Sequence, residues 1–317
     1  MTKPTTIIDK NWLQLICERP DIADSTFDSL KQKCQPVVAL VLIEEILANR
    51  FQTALDQVTV GRMIQAVLDF HPHWMEHPAE LVFKELVKNE PISNVWLSQE
   101  IANRAHEGLS NPETASPSLA KWATDRYEEK KQRLPARKKQ QEKIHGLFQK
   151  IAAAFLCPPD LATFAKNGSS FLAMVLNQPG WRQFVLEAYL GQTWKRWHSA
   201  ETADIDAAFS RLDNELLLEL PFTRNYLLAE LLYDVGPITK VGPPESEKSN
   251  PQVLSGNQIN NEEDQEYVAS AFHCDRLLTC DRGMQRIAES FRQAGYWKGN
   301  CVFIPRNEAD QLDRHFV

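Results

Sequence analysis

No stretch of about 18 consecutive apolar residues exists in the 317-residue chain, so no segment reads as a membrane-spanning helix. The six cysteines (17, 34, 157, 274, 280 and 301) are scattered without a C-x-x-C pair. That spacing argues for buried or free thiols in a reducing cytoplasm. Met1-Thr2-Lys3-Pro4 lacks the apolar core of a signal peptide, and a cytoplasmic protein is expected. Neither G-x-x-x-x-G-K-[ST] nor G-x-G-x-x-G occurs, so nucleotide hydrolysis on a phosphate loop is unsupported. No fixed-period repeat is visible, so a solenoid is not supported. Positive charge is in deficit: the net charge is −7. A protein that coats polyanions is thereby disfavoured, although a local basic patch is not.

What is present is 43% hydrophobic content, eight tryptophans and a pattern of short strands alternating with helices. Thr5-Thr6-Ile7-Ile8 is a β-rich run that ends at Asp9 and leads into the helical spacing of Trp12, Leu13 and Ile16. A helix is predicted from about Ser25 to Cys34, with Asp24 or Ser25 as its N-cap and Pro36 as its stop. The run from Val37 to Ile43 is the strongest buried-strand signal in the chain, and Glu44-Glu45-Ile46-Leu47 turns helical after it. Near the other end, Asp264 is placed in the first turn of a small-residue helix. The strand Arg276–Thr279 follows, then Asp281, a helix from Gly283 to Ala294 closed by Gly295, and a last strand at 301–305. Strand–helix alternation of this kind implies a parallel sheet with helices on both faces.

Ligands in open α/β sheets bind beyond the carboxyl ends of the strands. Asp9 and Asp281 fall at such ends, and carboxylates converging there repel one another unless a cation lies between them. An all-oxygen site suits magnesium or manganese.

Asp264, Tyr267, Val268, Ala269 and Ala271, followed by Leu277, Leu278, Thr279 and Asp281, resemble the C-terminal half of a PIN-domain nuclease. That family has "D-x-x-I-A-A-x-A" opening a helix and "L-V-T-x-D" ending the next strand. Its N-terminal acids are matched by Asp9 and by a glutamate in a "V-L-x-E-L" context, which fits Glu45, with Glu44 as the alternative register. The resemblance covers about residues 1–50 and 252–317. It implies an α/β fold with a PIN-like parallel sheet flanked by helices, interrupted by a large all-helical insertion. Residues 1–50 and 264–317 would form the two halves of the core. Residues 51–235 would partly complete the core and partly form an inserted helical subdomain, and 236–263 a flexible loop. The implied activity is Mg2+- or Mn2+-dependent hydrolysis of phosphodiester bonds by an endoribonuclease, of the toxin or defence-effector kind. Asp9, Glu45, Asp264 and Asp281 would hold the metal, with Thr279 bonding a carboxylate or a metal-bound water. Alternatives are a structure-specific DNA nuclease, or a non-catalytic scaffold that binds a regulatory partner protein.

Between the two halves, residues 51–235 carry almost no strand signal, and helices are predicted near 51–70, 79–88, 95–108, 117–155, 169–190 and 202–234. Residues 121–150 hold ten basic and four acidic side chains. Lys130, Lys131, Lys138 and Lys139 are the candidates for steering a phosphate backbone, with RNA favoured; a solvated helix is the competing reading. Trp194-Lys195-Arg196-Trp197-His198 offers a second, stacking surface, or core tryptophans beside snorkelling bases. His73 and His77 are four apart, but no further histidine or cysteine nearby supports zinc. Asp275 is expected at the start of its strand in a structural role.

Overall fold

The computed structural model of the chain describes residues 3–51, 57–110, 121–132, 135, 168–185, 214–235, 258–308 and 311–315. Five short strands form one parallel sheet: β1 (Thr5–Ile8), β2 (Gln35–Ala39), β3 (His73–Met75), β4 (Arg276–Thr279) and β5 (Asn300–Phe303). Their order is β3-β2-β1-β4-β5. The chain therefore builds outward from β1 in one direction, then returns to add β4 on its other side. The strand order reverses between β1 and β4, and the crevice outside the carboxyl ends at such a switch point is where open α/β sheets bind ligands. Ile7 lies opposite Val37 on one side and Leu277 on the other, and all three are fully buried. Strands covered on both faces read as continuous apolar runs, as these do.

Helices flank the sheet. α1 (Lys10–Cys17), α2 (Pro20–Lys33), α3 (Leu40–Phe51) and α4 (Gln57–Asp69) follow the first two strands and pack on one another. α5 (Pro78–Lys88) and α6 (Gln99–Ser110) follow β3, and α7 spans residues 121–132. Further on are α8 (Gly168–Asn177), α9 (Pro179–Val185), α10 (Asn214–Glu219), α11 (Pro221–Val235), α12 (Gln258–Ala271), α13 (Arg282–Gln293) and α14 (Leu312–His315). α12 touches β1, β4 and α3 and packs along α11. The start of α11 is held by α5: the Glu85 carboxylate accepts from the backbone N–H groups of Phe222 (3.1 Å) and Thr223 (2.6 Å). α8 crosses α13 closely enough that a Cβ at Gly168 would lie 2.2 Å from Ser290 Oγ.

Several boundaries depart from expectation. The apolar run from Val37 to Ile43 is a strand only to Ala39; α3 begins at Leu40. Val41, Leu42, Ile43, Ile46 and Leu47 are all buried, and a helix buried on every side carries the same apolar signature as a buried strand. α2 starts at Pro20 rather than near Ser25, because a proline ring suits the first helical position. Pro179 and Pro221 likewise divide the helices expected as single pieces at 169–190 and 202–234. β3 lies within the stretch read as nearly free of strand, being only three residues long. α12 starts at Gln258, so Asp264 sits in its second turn and 258–263 are helical rather than loop. Residues 236–257 lie outside the described residues. The five described cysteines are buried and free, as their spacing implied.

Candidate functional site

Asp9 is the first residue beyond β1, and its backbone N–H donates to Leu278 O of β4 (3.0 Å). Its carboxylate caps α1, with Oδ1 accepting from Asn11 N (3.1 Å), while Oδ2 accepts from Thr279 Oγ1 (2.8 Å). The same hydroxyl accepts from Asp281 N (2.9 Å), and Asp281 Oδ1 caps α13 by accepting from Met284 N (2.9 Å). One threonine thus ties together two aspartates from neighbouring strand ends, each seated at a helix N-terminus where negative charge is favoured. The second residue of α13 must be small: a Cβ at Gly283 would lie 2.8 Å from Asp281 Oδ1.

Glu45 enters from α3. Its Oε2 accepts from Tyr267 Oη of α12 (2.7 Å), and its Oε1 is 3.6 Å from Lys10 Nζ. Asp264, two turns before the end of α12, faces the same crevice. Burial raises its pKa well above the carboxylate range, and the charges of Asp281, Asp9 and Glu45 raise it further, against Lys10. Burial likewise pushes Asp9 up to about 7; Glu45 and Asp281 add to this, while the bonds from Asn11 and Thr279 oppose it. The four acids expected from sequence are therefore brought together by four separate elements, in one electrostatic unit.

Two groups escaped the sequence reading. Glu263 is buried, and its pKa is raised well above normal by burial and then by Glu45, to which it hydrogen-bonds. Nothing in sequence distinguished it from the adjacent acids. Tyr233 of α11 is buried with its hydroxyl unpartnered. Burial, followed by the charges of Asp264, Asp281 and Asp9, holds its phenol protonated. It comes from a distant apolar helix with no motif around it. Among the described residues carboxylates thus outnumber cations in the crevice, with Lys10 opposing the raised pKa of Asp264 and Arg286 that of Tyr233. A donor set of oxygens with surplus negative charge and an orphaned buried hydroxyl fits a hard divalent cation.

A second buried cluster lies behind the first. Glu44 points away from Glu45, as consecutive helical residues must. Its Oε1 lies 2.6 Å from Lys130 Nζ of α7, and its Oε2 lies 3.3 Å from His77 Nε2 and 3.7 Å from Arg126 Nε. Lys130 also reaches Glu266 (3.1 Å) and Glu263 (3.8 Å). Burial alone would raise the pKa of Glu44, but Lys130, His77 and Arg126 outweigh it and hold the carboxylate ionised. The ligand atoms of Glu44, His77 and Glu266 lie within 4.8 Å of one another, a spacing that a metal could use. Two features oppose that use. The Lys130 ammonium already bridges both carboxylates, and His77 Nδ1 accepts from Ala79 N (3.2 Å) at the start of α5. An Nδ1 that accepts leaves the proton on Nε2, without a lone pair for a metal. The cluster is an ion-pair network.

Lys130 is therefore not a surface phosphate contact: it is 1% exposed and engaged with three glutamates. The high charge of 121–150 concealed one lysine directed inward. Lys131 is exposed and lies 3.7 Å from Glu128, as on a solvated helix. Lys138, Lys139 and the Trp194–His198 stretch lie outside the described residues. His73 is exposed on β3 while His77 is buried at the start of α5, so the pair does not share a helical face. His273 stacks on Phe222 (5.1 Å), and burial lowers its pKa to about 4. Asp275 accepts from Thr5 N (2.8 Å) and Thr5 Oγ1 (2.9 Å), pinning the start of β4 to β1.

Comparison with protein-family models, with curated proteins and with solved structures finds no match. Among the described residues, no helix is long and apolar enough to cross a membrane.

Proposed function

We propose that this chain is a PIN-like, metal-dependent nuclease that hydrolyses phosphodiester bonds, with RNA as the favoured substrate. The observation that carries the reading is the meeting of Asp9, Glu45, Asp264 and Asp281 at the switch point of a parallel sheet. Four carboxylates drawn from β1, α3, α12 and β4 crowd together, and burial, then the charges of Glu45 and Asp281, raise the pKa of Asp9 and of Asp264, an arrangement of little structural benefit and direct use in gripping Mg2+ or Mn2+. Held by these acids, such a cation would activate water for attack and stabilise charge on the phosphoryl oxygens.

The chain's own groups have separable tasks in this scheme. Asp9 and Asp281 are held rigidly by their helix caps and by Thr279, so their free lone pairs face the crevice in fixed directions. Tyr267 orients Glu45, and Lys10 offsets part of its charge. The Tyr233 hydroxyl is a protonated donor beside the acids, suited to a phosphate oxygen or an ordered water. Arg282 and Arg286 stand exposed at the start of α13, next to Asp281, and offer the positive charge that a polyanion needs to approach an acidic site.

The test is incubation of the purified chain with end-labelled RNA and DNA in Mg2+, Mn2+ or chelator. Metal-dependent RNA cleavage by wild type, lost at least 100-fold in Asp281→Asn and in Asp264→Asn with the fold intact, is the expected result. Cleavage of DNA alone would move the substrate assignment. Absence of cleavage of either, or full activity in both variants, would leave the acids as a binding or structural feature.

A further inference from the structure

A cavity of about 550 Å3 opens at the β3 edge of the sheet, away from the switch point. Its volume is that of a small-molecule site. We infer that it binds a planar nucleobase, clamped between His71 and His106 and read along its edge by the side-chain amides of Gln99 and Asn103.

The clamp rests on geometry. The imidazoles of His71 and His106 are within 16° of parallel, with centroids 6.5 Å apart. A flat ring between two others needs about 3.5 Å on each side, close to that gap, and His71 is exposed and able to shift by the remainder. His71 adopts a left-handed backbone, φ 45°. Histidine enters that region more readily than bulky or branched residues, and the turn aims its ring at α6 instead of along β3. The wall beside the clamp is aromatic as well: His73 packs edge-on against Trp96 with centroids 5.7 Å apart. Trp96 is itself fixed, because its segment covers the edge of β3 through Leu97 N to Trp74 O and Glu76 N to Val95 O, both 3.0 Å.

The edge reader sits on one face of α6, where Gln99, Asn103 and His106 recur at helical spacing around the small Ala102. Gln99 Nε2 donates to Asn103 Oδ1 (2.9 Å). That bond leaves a carbonyl oxygen on Gln99 as an acceptor and an amino group on Asn103 as a donor, on adjacent turns of one helix face. An acceptor next to a donor matches the N6/N7 edge of adenine, the usual partner of a side-chain amide. Among the described residues the lining contains no Lys, Arg, Asp or Glu, so recognition falls on the base and not on a phosphate. Ring stacking and amide pairing accept a base from a free nucleotide or from a single strand alike.

The test is equilibrium binding by the full chain in chelator, with AMP in one arm, a six-residue oligoadenylate in another, and ribose 5-phosphate as the base-free control. Saturable binding of AMP or of the oligomer, with none of ribose 5-phosphate, is expected; whichever arm binds identifies the source of the base. His106→Ala and His71→Asn, the latter keeping a residue that tolerates the left-handed backbone, should each weaken binding about ten-fold or more. Asn103→Leu, on the exposed face of α6, should weaken it too and guards against a folding defect in the histidine variants. The pocket variants leave all four acids untouched and chelator keeps a cation from them, so this result stands apart from the outcome of the cleavage assay. No saturable binding at millimolar concentration, or binding equal to wild type in all three pocket variants, would overturn the inference.

Discussion

Replacing Lys130 by methionine keeps most of the side chain's length and deletes only its charge. In the folded protein that ammonium is shared by Glu44 (2.6 Å), Glu266 (3.1 Å) and Glu263 (3.8 Å), with no exposure of the Lys130 side chain. Removing one partner from a buried ion pair costs about 3–5 kcal/mol, because the remaining charge is left uncompensated away from water. For a chain of this size that loss lowers the melting temperature by on the order of 10 °C. Lys131→Met is the matched control: its side chain is 57% exposed and near a single surface glutamate, so the change should fall within about 0.5 kcal/mol of wild type. The double variant Lys130→Met/Glu44→Gln should recover part of the lost stability, since it removes the nearest of the three carboxylates left without the ammonium. Thermal melts and urea titrations of the four proteins decide the matter. A Lys130→Met protein that melts within a degree of wild type would refute the assignment of Lys130 to a buried network and return it to the surface.

The Asp9 carboxyl titrates near 7 in the folded chain against 3.8 in the unfolded one, so the native state holds its proton more tightly. Stability of the metal-free protein should then fall as pH rises through that window, by up to roughly 4 kcal/mol from this group. Asp9→Asn retains a helix-capping side chain but cannot ionise, so in chelator it should be the more stable protein at pH 7, with the difference shrinking toward pH 4; a variant less stable than wild type at pH 7 would contradict the reasoning. Gly283→Ala should displace the Asp281 carboxylate, weakening Mn2+ binding several-fold in calorimetry with little change in melting temperature; unchanged affinity would mean that the contact relaxes without moving the acid.

The parallel α/β character and the strands β1, β2, β4 and β5 were legible because short apolar runs, each ending in an acid or a turn, mark buried parallel strands. Strand order was not, because no local feature of β4 says that it pairs with β1. The helical start at Leu40 was hidden for a physical reason: burial on all sides erases the polar face that gives a helix its period. Glu44 and Glu45 were indistinguishable in sequence, yet one helical step sends the first to Lys130 and His77 and the second to Tyr267 and Lys10. Lys130 looked like one of ten interchangeable charges, since direction on a helix is read only against its packing partners. Tyr233 could not be found at all, because its importance comes from where α11 is docked and not from its neighbours in sequence.

The pairing of β1 with β4 also sets a clock. Asp9 and Glu45 are made early, whereas Asp264 and Asp281 are more than 200 residues away, and Thr6 cannot meet Arg276 until both exist. At ordinary synthesis rates of about 5–20 residues per second, that separation is a delay on the order of 15–50 s. Through most of it the emerging chain carries two of the four acids and three of the five strands. On the proposed reading, a chain made only as far as α11, amid the RNA of the ribosome that makes it, has no complete site with which to cut; competence arrives when β4 and β5 close onto β1.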